Sequence, residues 1–337
     1  MTRWLLRLLV LGVVGATALW ALAQWWVDSP LKLAPGPDAE GEAVELLVVP
    51  GMSARAVAGA AVRAGVQTRE EWLYAWFRWS GNARLIKAGS YEFEPGTSPR
   101  QLLGKLVRGE QALRTLTLIE GWNIRQVLAA VQSNPYLLQD LEGVTAERLM
   151  SHLGRTEAHP EGRFFPDTYR FPKRTPASAV LRQAADAMDR RLASAWERVE
   201  PGNPLRAPED LLILASIVEK ETGLDSDRPM VAGVFANRLR IGMRLQTDPT
   251  VIYGLGENFD GRLRRVHLQT DTPYNTYTRA GLPPTPIAMP GEASLLAAAR
   301  PASTRAMYFV SRGDGSSQFS ATLDEHNAAV RRYILNR

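Results

Sequence analysis

Two glutamates end a helical segment that is otherwise apolar, in the stretch LASIVEKETG at residues 214–223. At about 100° per residue, Glu221 falls on the same arc of the helix as Leu214 and Val218. Glu219 falls on the other side of the helix. The spacing therefore predicts that Glu221 is the carboxyl group drawn out of water.

A carboxyl group in that position is a candidate general acid. Burial and the negative end of the helix dipole both favour the protonated form of Glu221, and a protonated carboxyl group near neutral pH can donate to a leaving group. The helix is expected to begin at Pro208 and to stop at Gly223 as a C′ glycine. The alternative is a frayed helix end with Glu219 and Lys220 as solvated as Glu221.

The segments that follow mix aromatic rings with amides, hydroxyls and carboxylates, a combination that suits a carbohydrate-binding groove. The candidates for such a groove are Gln246, Asp248, Tyr274, Asn275 and Tyr277, with Thr247, Tyr253 and Thr276 among them. A proline-dense loop at 283–290 comes next and would hold these groups at low entropic cost.

Two further acids, Glu161 and Asp167, lie in the stretch EGRFFPDTYRF at 161–171. A glycosidase that uses water or a covalent intermediate needs a second carboxylate. Asp248, Asp167 and Glu161 could serve as that partner, although roles in positioning substrate or in structural hydrogen bonding are favoured. The sequence leaves these alternatives open.

The N-terminus indicates export. Residues 1–27 form an almost unbroken apolar run that begins after Arg3 and Arg7 and carries tryptophans at both ends. A run of roughly 20 residues spans a bilayer, and basic residues place that end in the cytoplasm. The alternative is a cleaved signal peptide with its site after Ala23. The anchor is favoured because bulky Trp25 and Trp26 follow that site.

A small unit follows a Pro- and Gly-rich linker at 29–43. The same pattern occurs in it twice: two apolar residues in an extended segment, a glycine turn and then a helix capped by serine. The turns are at Gly51 and Gly96. This pattern is similar to the opening of LysM modules, although a strand-turn-helix that only packs gives the same pattern. The tryptophans at 72, 76 and 79 have helical spacing and are expected in the core.

The rest of the chain mixes helices and strands. Helices are predicted near 123–132, 177–198, 208–222, 228–240 and 291–299, a hairpin at 306–321 and a last helix from 323. The fold class is therefore α+β. The expected domains are an anchor at 1–28, a linker at 29–43, a LysM-like domain at 44–112 and a larger mixed α+β domain at 113–337.

Composition and motifs disfavour several other functions. The chain has 337 residues, 45% of them hydrophobic, a formal net charge of +5 and no cysteine. No run of five like charges suggests a nucleic-acid-binding arm. The four histidines lack metal-ligand spacing, and no phosphate-binding or nucleophile-elbow motif is found. Neither a metal nor a cofactor is expected.

The stretches SIVEKET, VFANRLRIGMRLQTDPTVIYG, YNTY and GLPPTPI, together with the 161–171 stretch, resemble the endolytic murein transglycosylase family, also called YceG-like. The resemblance covers nearly the whole chain. Thr285 departs from it, because that family often has glycine there.

The resemblance implies a single-pass inner-membrane protein with a cytoplasmic N-terminus and a periplasmic enzyme domain. It implies cleavage of the β-1,4 bond between N-acetylmuramic acid and N-acetylglucosamine within peptidoglycan strands, which leaves 1,6-anhydro ends. The family's catalytic glutamate corresponds to Glu221. Termination of nascent strands and contact with peptidoglycan synthases are further expectations. The competing hypothesis is a wall-binding scaffold that does not cut.

Overall fold

The computed structural model describes residues 2–34, 43–156 and 159–335. The middle of the expected linker, 35–42, lies outside the described residues. The chain divides into two compact units. Unit 1 comprises residues 1–114 and 170–173, and unit 2 comprises residues 115–169 and 174–337.

Most of unit 1 is a small α+β assembly. Its elements are α1 (Thr2–Asp28), β1 (Lys32–Leu33), β2 (Val44–Val48), α2 (Ala54–Arg63), β3 (Val66–Gln67), α3 (Glu70–Trp79), β4 (Gly89–Phe93) and α4 (Pro99–Arg108). Antiparallel β2 and β4 pair in the register Val44 with Phe93 and Val48 with Gly89. The core lies between this pair and the helices α2, α3 and α4.

The local structure of unit 1 follows the sequence pattern closely. Gly51 and Gly96 have φ of 85° and 93°, a conformation that costs glycine little. Each is followed by a capped helix, with Ser53 accepting from the Ala56 N–H and Ser98 forming a capping box with Gln101. The predicted strand-turn-helix pattern is confirmed, whereas the LysM-like identity stays a prediction.

The tryptophans of α3 are not all in the core. Trp76 is buried and its Nε1–H donates to the Pro99 carbonyl oxygen at 3.1 Å. Trp72 and Trp79 are each 52% exposed, so the expectation was wrong for these two. Leu73, Trp76 and Phe77 form the centre of the buried face, and the other two tryptophans lie at its edge.

Helix α1 has the length and hydropathy that a membrane span requires, with a mean hydropathy of 2.1 over its apolar part. An anchor and a signal sequence both fit this helix. Its last turn belongs to unit 1, because Val27 is buried in the core and Asp28 pairs with Arg100 at 2.6 Å. Trp26 also packs edge-on against Trp72, with the ring centroids 5.7 Å apart.

Unit 2 is larger and mostly helical. Two strands, β5 (Leu113–Thr117) and β7 (Thr168–Pro172), carry the chain between the units. The remaining elements are α5 (Ile124–Gln132), β6 (Leu137–Leu138), α6 (Ala146–His152), β8 (Thr175–Pro176), α7 (Ala177–Trp196), α8 (Pro208–Glu221), α9 (Arg228–Arg240), α10 (Asp248–Leu255), α11 (Arg265–Gln269), α12 (Glu292–Ala299), β9 (Tyr308–Ser311), β10 (Ser317–Ser320) and α13 (Leu323–Val330). A short 3-10 helix, Gly256–Asn258, follows α10, and a π-helical turn, Arg331–Leu335, follows α13.

Helix α8 lies at the centre of unit 2, packed by α7, α9, α10 and α12. Every residue from Leu211 to Val218 is at most 4% exposed, so this helix is buried on all sides rather than along one stripe. Gly223 has the predicted C′ position after α8, but not the conformation that a C′ glycine usually adopts. Thr222 ends the helix in an extended conformation, with φ −144°, and its hydroxyl accepts the Leu224 N–H at 3.0 Å. Gly223 is not left-handed.

The predicted hairpin is confirmed as β9 and β10, in the register Tyr308 with Ser320. The five predicted helices of this region are also present, with their ends shifted by at most two residues. The prediction missed α6, α10 and α11, which are five to eight residues long. Such short helices carry too few turns to show a clear apolar period.

Candidate active site

Glu221 opens onto a cavity of about 470 Å³, a volume typical of ligand sites. The last residue of α8 thus meets side chains from the segment before α10, from the β9–β10 hairpin and from α13. The cavity is lined by Glu221, Arg238, Leu245, Gln246, Asp248, Tyr277, Tyr308, Phe309, Leu323, His326 and Asn327. Of the predicted groove residues, the fold brings Gln246, Asp248 and Tyr277 to Glu221.

Burial raises the pKa of Glu221 to about 7. The Thr247 hydroxyl donates a short hydrogen bond to Glu221 Oε1, which favours the carboxylate and moderates the rise. The negative charge of Asp248 raises the pKa further, and the positive charge of Arg238 lowers it. Near neutral pH the group is therefore able both to hold a proton and to release it, as a residue that acts first as acid and then as base requires.

A network of hydroxyl groups holds Thr247 in place. Its backbone N–H donates to Thr276 Oγ1 at 3.1 Å, and its carbonyl oxygen accepts from the Thr250 hydroxyl at 2.8 Å. Thr250 and Thr276 are also joined hydroxyl to hydroxyl at 2.9 Å, and both are buried. Because each partner is buried, the hydroxyl that contacts Glu221 has little freedom to rotate away.

Gln246, directly before Thr247, has a left-handed backbone with φ 49°. A residue with a Cβ atom adopts this conformation at a cost of roughly 1–2 kcal/mol. The conformation is held by a hydrogen bond from the Gln246 N–H to the Thr276 carbonyl oxygen at 3.1 Å. It leaves the Gln246 side chain exposed at the cavity while Thr247 is buried.

Arg238 of α9 joins two walls of the cavity. It is 6% exposed, and it donates to the Leu245 carbonyl oxygen at 2.5 Å and to the Met307 carbonyl oxygen at 2.7 Å. Its guanidinium also lies over the Tyr308 ring, 5.3 Å from the centroid. The arginine thereby fixes the segment that carries Gln246 against the hairpin that carries Tyr308.

Asp248 and Tyr277 form a second polar pair in the cavity. The Tyr277 hydroxyl donates to Asp248 Oδ1 at 2.6 Å. Burial, and next the hydrogen bond to Asp248, raise the pKa of Tyr277, so the phenol stays protonated and keeps donating. Asp248 is exposed and is the first residue of α10.

The hairpin and α13 supply an aromatic wall. The Tyr308 and His326 rings are stacked, with centroids 5.2 Å apart and an interplanar angle of 22°. Burial, together with the charge of Arg238, lowers the pKa of His326, so its ring is neutral at pH 7. Flat rings of this kind pack against sugar rings, which makes the wall a candidate surface for substrate.

The carboxyl groups of both glutamates at the end of α8 are largely shielded from water, so burial alone does not separate them. The side chain of Glu219 is 6% exposed and that of Arg228 is 8% exposed, and the two form an ion pair at 3.5 Å. Glu219 Oε2 also accepts the Gly291 N–H at 2.9 Å, at the start of α12. Glu219 therefore fastens the helix end to its neighbours, whereas Glu221 opens onto the cavity.

Glu161 lies elsewhere in unit 2, outside this cavity. It is fully buried, and both of its carboxyl oxygens accept the Ile124 N–H, at 3.0 and 3.2 Å. Burial raises the pKa of Glu161 to about 7, and hydrogen bonds from Ile124 and from the Tyr253 hydroxyl lower it. In this structure Glu161 binds the start of α5 to α10.

The other predicted groove residues do not line the cavity. Buried Asn275 donates to three carbonyl oxygens between 2.6 and 3.2 Å and so fixes the loop that carries Tyr277. Tyr274 packs on Tyr253 and its hydroxyl contacts Thr285 Oγ1 at 2.8 Å, so Thr285 has a structural partner where a glycine could have none. Asp167 is exposed and lines a different cavity.

No sequence pattern predicted Arg238, Tyr308 or His326 as site residues. Arg238 lies within a stretch that carries the resemblance. Arg240 and Arg244 lie close to it in the sequence, so nothing local indicated which of the three arginines faces the site. Tyr308 and His326 belong to the predicted hairpin and last helix, and nothing local placed them beside Glu221. Among the described residues, no cluster of three or more histidine, aspartate or glutamate side chains could hold a metal ion.

Comparison with known proteins gives a consistent result. The model of the YceG-like family matches residues 46–332. A protein of Bacillus subtilis named endolytic murein transglycosylase is 31% identical over 87% of this chain and 86% of its own length. One of the same name from Streptococcus pneumoniae is 27% identical over 74% of this chain, which spans about half of that relative, 51%.

A solved structure is also similar. The crystal structure of a YceG-like protein from Listeria monocytogenes aligns with a TM-score of 0.55 and 28% identity. The alignment covers 86% of this chain and all of that one.

Proposed function

The chain belongs to the YceG-like family, and on this basis we propose that it is an endolytic lytic transglycosylase of peptidoglycan. Relatives named endolytic murein transglycosylase match it over most of its length. The observation that carries the proposal is Glu221, a carboxyl group with pKa about 7 at the wall of a polar, aromatic cavity.

In the proposed reaction, protonated Glu221 donates its proton to the oxygen of the β-1,4 bond between N-acetylmuramic acid and N-acetylglucosamine. The C1–O bond breaks and the N-acetylglucosamine end leaves with its new hydroxyl group. The C6 hydroxyl of the muramic residue then forms a bond to C1, and the Glu221 carboxylate takes the hydroxyl proton. The product is a 1,6-anhydro end, and Glu221 is protonated again.

The other residues of the cavity support this chemistry in defined ways. Thr247 orients the Glu221 carboxyl group through its hydroxyl. Arg238 stabilises the carboxylate that forms when the proton leaves, because its charge lowers the pKa of Glu221. The Tyr308 and His326 rings offer a wall against which a sugar can pack. We assign Gln246, Asp248 and Tyr277 to substrate binding.

A hydrolase is the second candidate, since Asp248 supplies another carboxylate in the same cavity. Such an enzyme would release reducing ends rather than anhydro ends. We favour the lyase because Asp248 is already engaged by the Tyr277 hydroxyl. A non-cleaving scaffold is the third possibility and needs no acid with a raised pKa.

The deciding experiment incubates the full-length protein, in detergent, with purified peptidoglycan sacculi and identifies the released ends by mass spectrometry. Internal fragments with 1,6-anhydro ends support the proposal. Reducing ends support the hydrolase, and no release supports the scaffold. The Glu221→Gln protein serves as the control for contaminating activities.

We also propose that α1 stays attached as a single-pass anchor in the inner membrane, with the enzyme in the periplasm and in reach of peptidoglycan synthases whose nascent strands it ends. Helix α1 is long and apolar enough for this role. Mass spectrometry of the mature protein tests the anchor. A mature N-terminus at Gln24 would show that the segment is a cleaved signal peptide.

A further inference from the structure

A second cavity in unit 2, of about 510 Å³, shares no residue with the cavity at Glu221. It lies along one face of α7, whose residues at 183, 187, 190, 191 and 194 recur at helical spacing, and it extends to Arg198 just beyond the helix. The chemistry of its lining is mixed: arginines, carboxylates, hydroxyls and an amide. The polar members are Asp167, Thr168, Gln183, Arg190, Arg191, Ser194, Arg198 and Glu292.

The three arginines of this cavity differ in their partners. Arg191 is paired with Glu292 at 2.6 Å, and its guanidinium lies 5.2 Å from the centroid of the Phe165 ring. Within the described residues, Arg190 and Arg198 have no ion-pair partner, and both are exposed. Two guanidinium groups are therefore available to an anion. The planar guanidinium matches a carboxylate with two parallel hydrogen bonds.

Two features favour a peptide over a phosphate. Arg190 lies in α7 and Arg198 lies two residues beyond its end. At the helical rise, eight residues separate their Cα atoms by about 12 Å, which matches roughly four residues of extended chain. Asp167 also lines the cavity, where its carboxylate can accept the N–H groups of a peptide, whereas a fully ionised phosphate has no hydrogen to donate to it. A single phosphate would be too short to reach both arginines and would offer no N–H group to the carboxylate.

We propose that this cavity binds a short acidic peptide, with Arg190 and Arg198 holding its carboxylates and Asp167 accepting its N–H groups. The inference rests on the proposed function for the source of that peptide, because peptidoglycan strands carry short peptides with free carboxylates. The cavity then places the strand through its peptide while Glu221 acts on its sugars. This gives Asp167 a substrate-binding role away from the acid.

The first test measures binding directly, with calorimetry and an N-acetylated Ala-Glu-Lys-Ala-Ala peptide as the probe, because its glutamate and its C-terminal carboxylate lie at the two ends of a four-residue stretch. The protein is the full-length Glu221→Gln variant, so that turnover plays no part. The double variant Arg190→Ala/Arg198→Ala should weaken binding by about tenfold or more, since each loses a charge-assisted contact. Arg206→Ala, an exposed arginine outside both cavities, should leave it unchanged.

The second test compares the cleavage of strands that carry peptides with the cleavage of strands from which an amidase has removed them. On peptide-bearing strands the double variant should raise KM by about tenfold with kcat unchanged. On bare strands it should match the parent. Circular dichroism and thermal melting of both variants check that the fold is kept.

The outcomes separate the two proposals. No peptide binding by the parent, or binding that the double variant leaves intact, overturns the peptide site. Inorganic phosphate that binds in its place, with no binding of the peptide, also overturns it. If peptide binding follows the prediction but no strand is cut by the parent, the peptide site stands and the transglycosylase proposal falls.

Discussion

Two carboxyl groups in unit 2 have nearly the same pKa but lie in different surroundings. Burial raises the pKa of Glu221 and of Glu161 to about 7 in each case. Glu161 is fully buried and its oxygens are occupied by the Ile124 N–H, whereas Glu221 has one hydroxyl partner and a cavity beside it. A raised pKa therefore marks a desolvated acid, and access to a ligand decides whether that acid can do chemistry.

The largest expected difference between the two groups is in catalysis. Glu221→Gln should lower kcat on a defined glycan strand by about 10²- to 10⁴-fold, because the amide keeps the shape but cannot deliver a proton. Strand binding and the melting temperature should change little. Cleavage assays, equilibrium binding and thermal melting measure these three quantities.

The matched control is Glu219→Gln, two residues away on the same helix. It keeps an acceptor for the Gly291 N–H, and Arg228 keeps Asp225 as a partner, so activity per folded molecule should stay within about tenfold of the parent. A dead Glu219→Gln together with a nearly normal Glu221→Gln would reverse the assignment of the acid.

The next difference is in stability. Glu161→Ala leaves the Ile124 N–H and the Tyr253 hydroxyl without their acceptor, which should lower the free energy of unfolding by about 1–3 kcal/mol. Activity per folded molecule should remain within a few-fold of the parent. Urea denaturation measures the loss, and Glu161→Gln, which keeps an acceptor, should lose less. A loss of kcat as large as that of Glu221→Gln would mean that Glu161 takes part in the reaction.

Glu161 should also make the free energy of unfolding depend on pH. The folded pKa of Glu161, about 7, lies above its ordinary value of 4.5, so the folded state holds more protons between those values. This contribution is complete below pH 4.5 and is lost as the pH rises to 7, by at most about 1.4 kcal/mol per pH unit. Relative to the parent, Glu161→Gln should therefore gain stability as the pH rises. Denaturation curves at several pH values test this, and parallel trends for the two proteins would contradict it.

The smallest expected effect is a pair of opposite shifts in the pKa of Glu221, one from each of two variants. Activity should fall above pH 7 as the acid loses its proton. Asp248→Asn removes a negative charge that raises the pKa of Glu221, so the alkaline limb of kcat/KM should move to lower pH. Thr247→Val removes a hydrogen bond to the carboxylate, so the limb should move to higher pH. Each shift is expected to be about one pH unit or less. Shifts in the same direction would contradict this account of the site.

Much of the local structure could be predicted because it depends on near neighbours in sequence. The glycine turns at Gly51 and Gly96, the serine caps that follow them and the β9–β10 hairpin each need only a few adjacent residues. The side of the helix on which Glu221 lies could also be predicted, although α8 is buried on all sides along most of its length. An apolar stripe therefore does not by itself distinguish the side of the helix on which Glu221 lies.

The sequence alone determined the fold class, the apolar N-terminal helix, the helices that carry the core and the identity of the candidate acid. Only the tertiary structure decided the rest of the site. It brought Arg238, Tyr308 and His326 to Glu221, paired Glu219 with Arg228, and separated Glu161 and Asp167 from the cavity. These contacts join residues up to about a hundred positions apart in the chain. Local periodicity fixes which side of an element faces inward, but not which other element it meets there.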